Sequence, residues 1–330
     1  MLADCVSRSQ TQFGSTTPYK PIEYQDFVPG AAETDAPFHN WNRFFFIYCD
    51  GMIHQGTRKD PVTVDGHKLW LRGENITRAQ LDFVLKLMPV QDTDTFVING
   101  CSAGGIAVFL WADEIARVLL QKNPSVRVLA SANAGFLFDY PQLSTGINYY
   151  GEQMKVLANL TNREVAPPNS KCRDLHRDEL YKCLMPVELS KLIETPLFIE
   201  ESLYDNFQMS AVLSVPCMMG FPFPSLKGCN ATELLQIQAF KNRTATLLQE
   251  AYDVNPSIRG VWAPSCPFHC FLLFGLASDP ESAKYAVPSG SQWTLGAATE
   301  LFLQGYGSEA KIDDVDWPGN ANCAYIVQQS

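Results

Sequence analysis

The chain has 330 residues, a formal charge of −10 at pH 7, and 46% hydrophobic, 18% charged and 12% aromatic residues. It is long enough to bury a substantial core as one large α/β domain. No apolar stretch approaches the roughly 18 to 20 residues needed to span a bilayer. The acidic balance argues against nucleic acid and anionic lipid as partners, since both call for a basic field.

Residues 1–40 are polar, with Gly, Ser, Thr and Pro scattered through them, and are predicted to be an irregular surface-wrapping segment. The first 30 residues contain no basic stretch followed by an apolar one, so no signal peptide is read there. With Met1 at the start, the expectation is a reading frame truncated upstream. The apolar runs predict strands at Arg43–Tyr48, Thr95–Ile98, Val126–Ala130, Pro196–Glu200 and Gly260–Ala263. Helical periodicity predicts helices over Arg78–Leu87, Gly104–Leu120, Pro186–Leu192 and Glu233–Ala251. This alternation implies an α/β fold in which a mainly parallel central sheet carries helices on both faces. Residues 41–330 read as a single domain. Two segments, near 140–190 and 209–232, read as cap insertions after strand ends, the first with Cys172 and Cys183, the second with Cys217 and Cys229.

Ten cysteines and the N-x-S/T sequons at Asn75, Asn159, Asn230 and Asn242 indicate an oxidising secretory or extracellular setting. The even cysteine count fits five disulfides. Ile237, Phe240, Thr244, Leu248 and Ala251 share one helical face, which turns Asn242 to the solvent side where a glycan has room.

The strongest local signal is Thr95-Phe-Val-Ile-Asn-Gly-Cys-Ser102-Ala-Gly104, an apolar strand running through G-x-S-x-G directly into a helix. A serine at the tip of such a turn needs small neighbours, here Gly100 and Gly104. Its hydroxyl then stands at the positive end of a helix dipole, and the Ala103 backbone N–H can donate to a developing oxyanion. The competing reading, a phosphate-binding helix start, lacks both the P-loop lysine and the G-x-G-x-x-G spacing.

An elbow serine needs a histidine. His176 and His269 follow it; His176 lies in a charged helical run, whereas His269 follows the apolar Gly260–Ala263 run in a strand-end loop. Cys266 and Cys270 near it raise a Cys-x-x-His zinc alternative, but two further ligands at compatible spacing are not evident, so disulfides anchoring the loop explain these cysteines better. No metal or organic cofactor is expected. For the orienting acid, Asp205, at the polar exit of Pro196–Glu200, leads Asp139, Glu200 and Glu201.

With these positions in hand, a series of blocks stands out in order: Asn40-Trp-Asn-Arg43, Tyr48-Cys-Asp-Gly51, Leu71-Arg-Gly73, Asn99–Gly105, Ala134-Gly-Phe136, Thr195–Phe198, Ser202-Leu-Tyr-Asp205 and Ala263–Cys270. In these the chain resembles the pectin acetylesterase/Notum family of carboxylesterases. The resemblance implies an α/β-hydrolase-like fold and an acyl-ester hydrolase, carries the catalytic triad onto Ser102, Asp205 and His269, and decides against Asp139. It departs from the family in two places. Members carry an upstream strand and a Gly-Gly-Gly-Trp-Cys-like turn that adds oxyanion donors, and this chain begins with what normally follows that turn. Asn133 stands where the family usually has an acidic residue.

The activity so implied is removal of acyl groups, foremost acetyl, from a polysaccharide such as pectin. A deacylase of lipidated protein is the alternative within the same chemistry, and a non-catalytic binding protein that keeps the triad but lacks the oxyanion turn is the alternative outside it. Pectin is polyanionic, so an acidic protein would need a local basic groove to hold it.

Overall fold

The computed structural model describes residues 2–11, 13–15, 38, 41–161, 169–218, 226, 228–270, 286–288, 290–305, 309–317 and 319–320. Leu2–Ser9 form α1, with Asp4 in the first turn and Arg8 in the last, both favourable to the helix dipole. The expected irregular character of residues 1–40 is therefore corrected here, because Cys5 and Val6 give this short helix an apolar side that packs on the core. Residues 16–37, 39 and 40 lie outside the described residues.

The predicted strand at Arg43–Tyr48 is not formed; residues 41–49 are irregular. Its run of consecutive aromatics has no two-residue alternation to bury one face, and Phe44 and Phe45 stay exposed. The segment is held instead through Tyr48, whose carbonyl accepts from Arg8 Nη2 at 2.8 Å and whose ring stacks on His54. A hairpin follows, β1 (Val62–Val64) and β2 (His67–Leu69), turning at Asp65 and Gly66, both with positive φ. Asp-Gly is the residue pair a two-residue hairpin turn favours. Next comes α2 (Gly73–Leu87), whose start is tied to the Tyr48-Cys-Asp-Gly51 turn by Asp50. The buried Asp50 carboxylate accepts backbone N–H groups from Met52 at 3.0 Å, Gly56 at 3.2 Å and Gly73 at 2.6 Å.

The centre is a five-stranded sheet, β3 (Thr95–Cys101), β4 (Arg127–Asn133), β5 (Leu197–Glu200), β6 (Arg259–Ala263) and β7 (Ala310–Ile312), parallel throughout and ordered as in the chain. Parallel strands covered by helices read as continuous apolar runs, as β4 and β6 do, buried almost end to end. The register aligns the carboxyl ends: Cys101 faces Asn133, Asn133 faces Glu200, and Ala263 faces Ile312. Whatever leaves β3, β5 and β6 therefore emerges on one edge. Helix α3 (Ala103–Lys122) packs against β3 and β4, and its Ile106, Phe109, Trp111, Ala112, Ile115 and Leu119 are buried.

Between β4 and β5, in the stretch read as a cap, lie α4 (Tyr149–Leu160), α5 (Ser170–Leu175), a 3-10 turn (Leu180–Leu184) and α6 (Pro186–Leu189). The helix predicted at Pro186–Leu192 is thus a single turn. Cys172–Cys183 clips α5 to the 3-10 turn. In the second stretch a π-helical turn (Gln208–Val212) precedes the Cys217–Cys229 bridge. Helix α7 (Ala231–Asp253) buries Ile237, Phe240, Thr244, Leu248 and Ala251 and leaves Asn242 exposed. Like α1, the β1–β2 hairpin, α4 and α5, the later elements α8 (Leu295–Leu303) and β7 went unpredicted. Among the described residues no helix is long and apolar enough to cross a membrane.

The expectation of five disulfides is corrected, because Cys5 and Cys49 are free thiols. The contact between α1 and the segment before Asp50 is made by Arg8, one turn past Cys5, rather than by a bridge.

Of the sequon asparagines, Asn75, Asn159, Asn230 and Asn242 are all exposed. Asn230 also caps α7: its Oδ1 accepts from the Thr232 and Glu233 N–H groups at 3.0 Å, and Glu233 returns a bond to the Asn230 N–H. Asn230→Ala should therefore lower unfolding stability by about 1 kcal/mol in a denaturant titration. Asn230→Asp, which keeps the cap but destroys the sequon, should not. Equal losses in both would assign the effect to a glycan and not to the cap.

Candidate active site

Ser102 is the hinge between β3 and α3 and adopts φ 57° and ψ −122°, a conformation that L-residues rarely occupy. The turn is held by the Ser102 N–H, which donates to the Asn133 carbonyl at 3.0 Å. Ala103 is the first helical residue, so its N–H has no intrahelical acceptor and points out of the helix start. The small residues around the turn serve different purposes. A Cβ on Gly100 would sit 2.3 Å from the Gly104 carbonyl oxygen, whereas one on Gly104 would meet nothing within 4 Å. The packing demand expected of Gly104 falls instead on Gly105. There a Cβ would lie 2.5 Å from the Asn133 carbonyl oxygen and 3.0 Å from the Gly135 Cα. The first turn of α3 thus lies directly on the backbone leaving β4. The signal for this was present as the second glycine of Gly104-Gly105 and as Ala134-Gly135, and a search for the elbow alone overlooks it.

His269 and Asp205 meet at the same edge. Asp205 is fully buried, five residues beyond β5, and its Oδ2 lies 2.7 Å from His269 Nδ1. A carboxylate only accepts, so Nδ1 carries the proton and Nε2 of the neutral ring is left as an acceptor. The other carboxylate oxygen, Oδ1, accepts the Gln208 N–H at 2.8 Å. Phe207 stacks on the imidazole at 5.0 Å between centroids and 27° between planes. Asp139, the rival acid, does not approach His269; its Oδ1 accepts the Gly151 N–H at 2.5 Å at the start of α4. His176 sits beside Glu188, at 3.6 Å.

The loop that carries His269 is fastened at several points. Ser202 Oγ donates to the Cys266 carbonyl, the Leu203 N–H to the Pro264 carbonyl, and the Ser265 N–H to buried Asp313 at 3.2 Å. The decisive fastening is Cys101–Cys270, with 5.6 Å between the Cα atoms. Cys101 immediately precedes Ser102 and Cys270 immediately follows His269, so the bridge draws the two residues together across 169 positions of sequence. Cys266 is also disulfide-bonded. Neither cysteine flanking His269 is available as a thiolate ligand, as the disulfide explanation of this loop expects.

Three acids leave β5 within six residues, and their surroundings differ. Glu200 accepts from Ser131 Oγ at 2.6 Å and from its register partner Asn133 Nδ2 at 2.8 Å, while Asn99 donates to Ser131 at 3.2 Å. Burial raises the Glu200 pKa against these two hydrogen bonds. Glu201, also fully buried, accepts the Phe136 N–H at 2.8 Å and the Gln208 side-chain amide at 3.3 Å. A cleft lined by Arg127, Pro196, Ile258 and Phe302 opens near the amino ends of β4, β5 and β6 and touches none of these groups.

A parallel sheet with a strained serine between strand and helix, and an aspartate-bound histidine on the same edge, defines an α/β-hydrolase-like protein. Residues 1–324 match the family model described as Pectinacetylesterase, and the chain belongs to that family of carboxylesterases, which remove acyl groups. It is 28% identical to pectin acetylesterase 5 of Arabidopsis thaliana over 338 residues, covering 98% of this chain and 73% of that protein. Pectin acetylesterase 11 of the same plant is 26% identical over 281 residues, covering 82% of this chain and 67% of that protein. Among solved structures, the Wnt deacylase Notum from Drosophila superposes with a TM-score of 0.77 at 19% identity, covering 97% of this chain and 86% of that one, and so shares the fold.

The glycine geometry predicts opposite outcomes for neighbouring substitutions. Gly105→Ala should cost at least about 1 to 3 kcal/mol of stability through the forced backbone contact. Gly104→Ala should leave thermal stability unchanged or slightly raised, since alanine is the better helix former by about 1 kcal/mol. Comparable melting temperatures for the two variants would contradict this assignment.

Proposed function

We propose that this esterase works by a serine mechanism, with Ser102 as nucleophile, His269 as general base and Asp205 as the acid that orients it. The observation that carries this is the Asp205–His269 bond at 2.7 Å on a loop that Cys101–Cys270 ties to the residue before Ser102. In the first half-reaction His269 Nε2 takes the Ser102 proton as the hydroxyl oxygen attacks the ester carbonyl. The negative charge that develops on the carbonyl oxygen is met by the Ala103 N–H and by the dipole of α3. Collapse releases the alcohol, which takes the proton back from His269. Water, activated by the same histidine, then frees the acid and restores Ser102. Buried Asp205 stabilises the imidazolium in each transfer without being protonated itself.

The substrate we assign is an acetylated polysaccharide of the pectin type, as the names of the plant relatives indicate. The three disulfides among the described residues and the exposed sequon asparagines support action in an oxidising, extracellular setting.

A fluorophosphonate probe should label the wild-type chain and fail on Ser102→Ala. Acetate release should fall by roughly 1,000,000-fold in Ser102→Ala and by roughly 10,000-fold in Asp205→Asn. Asp139→Asn should retain activity. A folded wild-type chain that neither labels nor releases acetate is a binding protein instead. Preference for long-chain over acetyl esters would reassign it to the deacylation of lipidated substrates.

A further inference from the structure

We propose that Glu201 is a positioning residue for this site: a neutral carboxylic acid that donates a hydrogen bond to the Asp205 carboxylate and so fixes the group that His269 faces. This rests on the role given to Asp205 above. Both side chains are fully buried, and they stand four residues apart where the chain leaves β5. Gln208 bonds to both, its backbone N–H to Asp205 at 2.8 Å and its side-chain amide to Glu201 at 3.3 Å, and two ionised carboxylates held that close in a water-free site would repel strongly, so one must keep its proton. Asp205 is the one stabilised as an anion, because it receives the His269 ring N–H and the Gln208 backbone N–H. Among the described residues Glu201 receives neutral amide donors, from Phe136 and the Gln208 side chain, which a protonated carboxyl also accepts. The charge that faces it is that of Asp205, with His269 beyond. Glu200, its neighbour, is taken up by Ser131 and Asn133. Burial, and after it the Asp205 charge, holds Glu201 well above the ordinary glutamate range.

The arrangement makes Glu201 a link between β4 and the site. Its Oε2 is anchored to Phe136 at the exit of β4, its proton goes to Asp205, and Gln208 contacts both acids, through its side chain to Glu201 and its backbone to Asp205. By this bond Glu201 also takes a share of the Asp205 charge that faces the imidazole. An uncharged donor of the same shape should therefore replace Glu201, and an apolar side chain should not.

The test compares Glu201→Gln with Glu201→Leu, each checked for native circular dichroism. Glu201→Gln should keep kcat and KM within about twofold of wild type at neutral pH. Glu201→Leu should lower kcat about 10- to 100-fold at unchanged KM and shift the acidic limb of the pH–rate profile upward, as the Asp205 charge is no longer shared. A second readout needs no activity. The folded state keeps the Glu201 proton to higher pH than the unfolded chain, so this group's stabilising contribution is complete below the ordinary glutamate pKa and is lost as pH rises toward its raised value. Glu201→Gln, which has no proton to lose, should gain stability over wild type as pH rises from 4 to 9 in denaturant titrations. The infrared carbonyl band of a protonated carboxyl, present in wild type at neutral pH, should vanish in Glu201→Gln.

Equal activity in Glu201→Leu and wild type, or a wild type with no such protonated carboxyl, overturns the proposal. Both results leave the serine mechanism intact wherever the fluorophosphonate probe still labels Ser102. Conversely, a wild type that fails to label but shows the Glu201 band and pH-dependent stability would sink the catalytic reading while the shared proton stands.

Discussion

How close α3 can come to β4 governs everything at the carboxyl edge of the sheet. Gly105 and the Asn133–Gly135 backbone touch with no room for a Cβ on either glycine. Because the helix begins that close, Ser102 must turn sharply out of β3, and its N–H reaches the Asn133 carbonyl. The strain at Ser102 is thus offset by a backbone hydrogen bond and by the packing of the buried apolar face of α3 behind it. Ala134 also adopts positive φ on the facing side, so both partners in this contact bend to make it.

The same edge solves a second problem, that of several buried acids in one small volume. Glu200, Glu201 and Asp205 are each almost wholly removed from water. One is met by two side-chain donors across the β4–β5 pair, another by a histidine and a backbone N–H, and the third by two amides. Exchanging the donors among them would leave unpaired charge at a cost of several kcal/mol. Asn133, opposite Glu200 in register, donates its amide to that carboxylate where an acid would repel it.

Much of the site was legible because its chemistry needs local backbone geometry. Strand, glycine, serine and helix in direct succession leave few alternatives for residues 95–120, and the helix predicted there differs from the observed one only at its ends. The apolar face of α7 was equally plain, since a 3.6-residue period records burial directly. The strand expected at Arg43–Tyr48 failed because apolar composition says nothing about whether an edge partner exists. The short β7 and α8 carried too few residues for a period to emerge.

The sequence by itself determined the elbow, the histidine loop, the mainly parallel character of the sheet and, through family blocks, which acid to pair with His269. Those features reside in short segments whose residue types are dictated by backbone conformation or by chemistry. Tertiary structure alone decided that Cys101 pairs with Cys270, that Gly105 and not Gly104 bears the packing contact, and that Gln208 bonds to both Glu201 and Asp205. Each of these depends on which strand ends the register brings side by side, and a parallel sheet sets that register through long crossovers whose contacts leave no period in the chain.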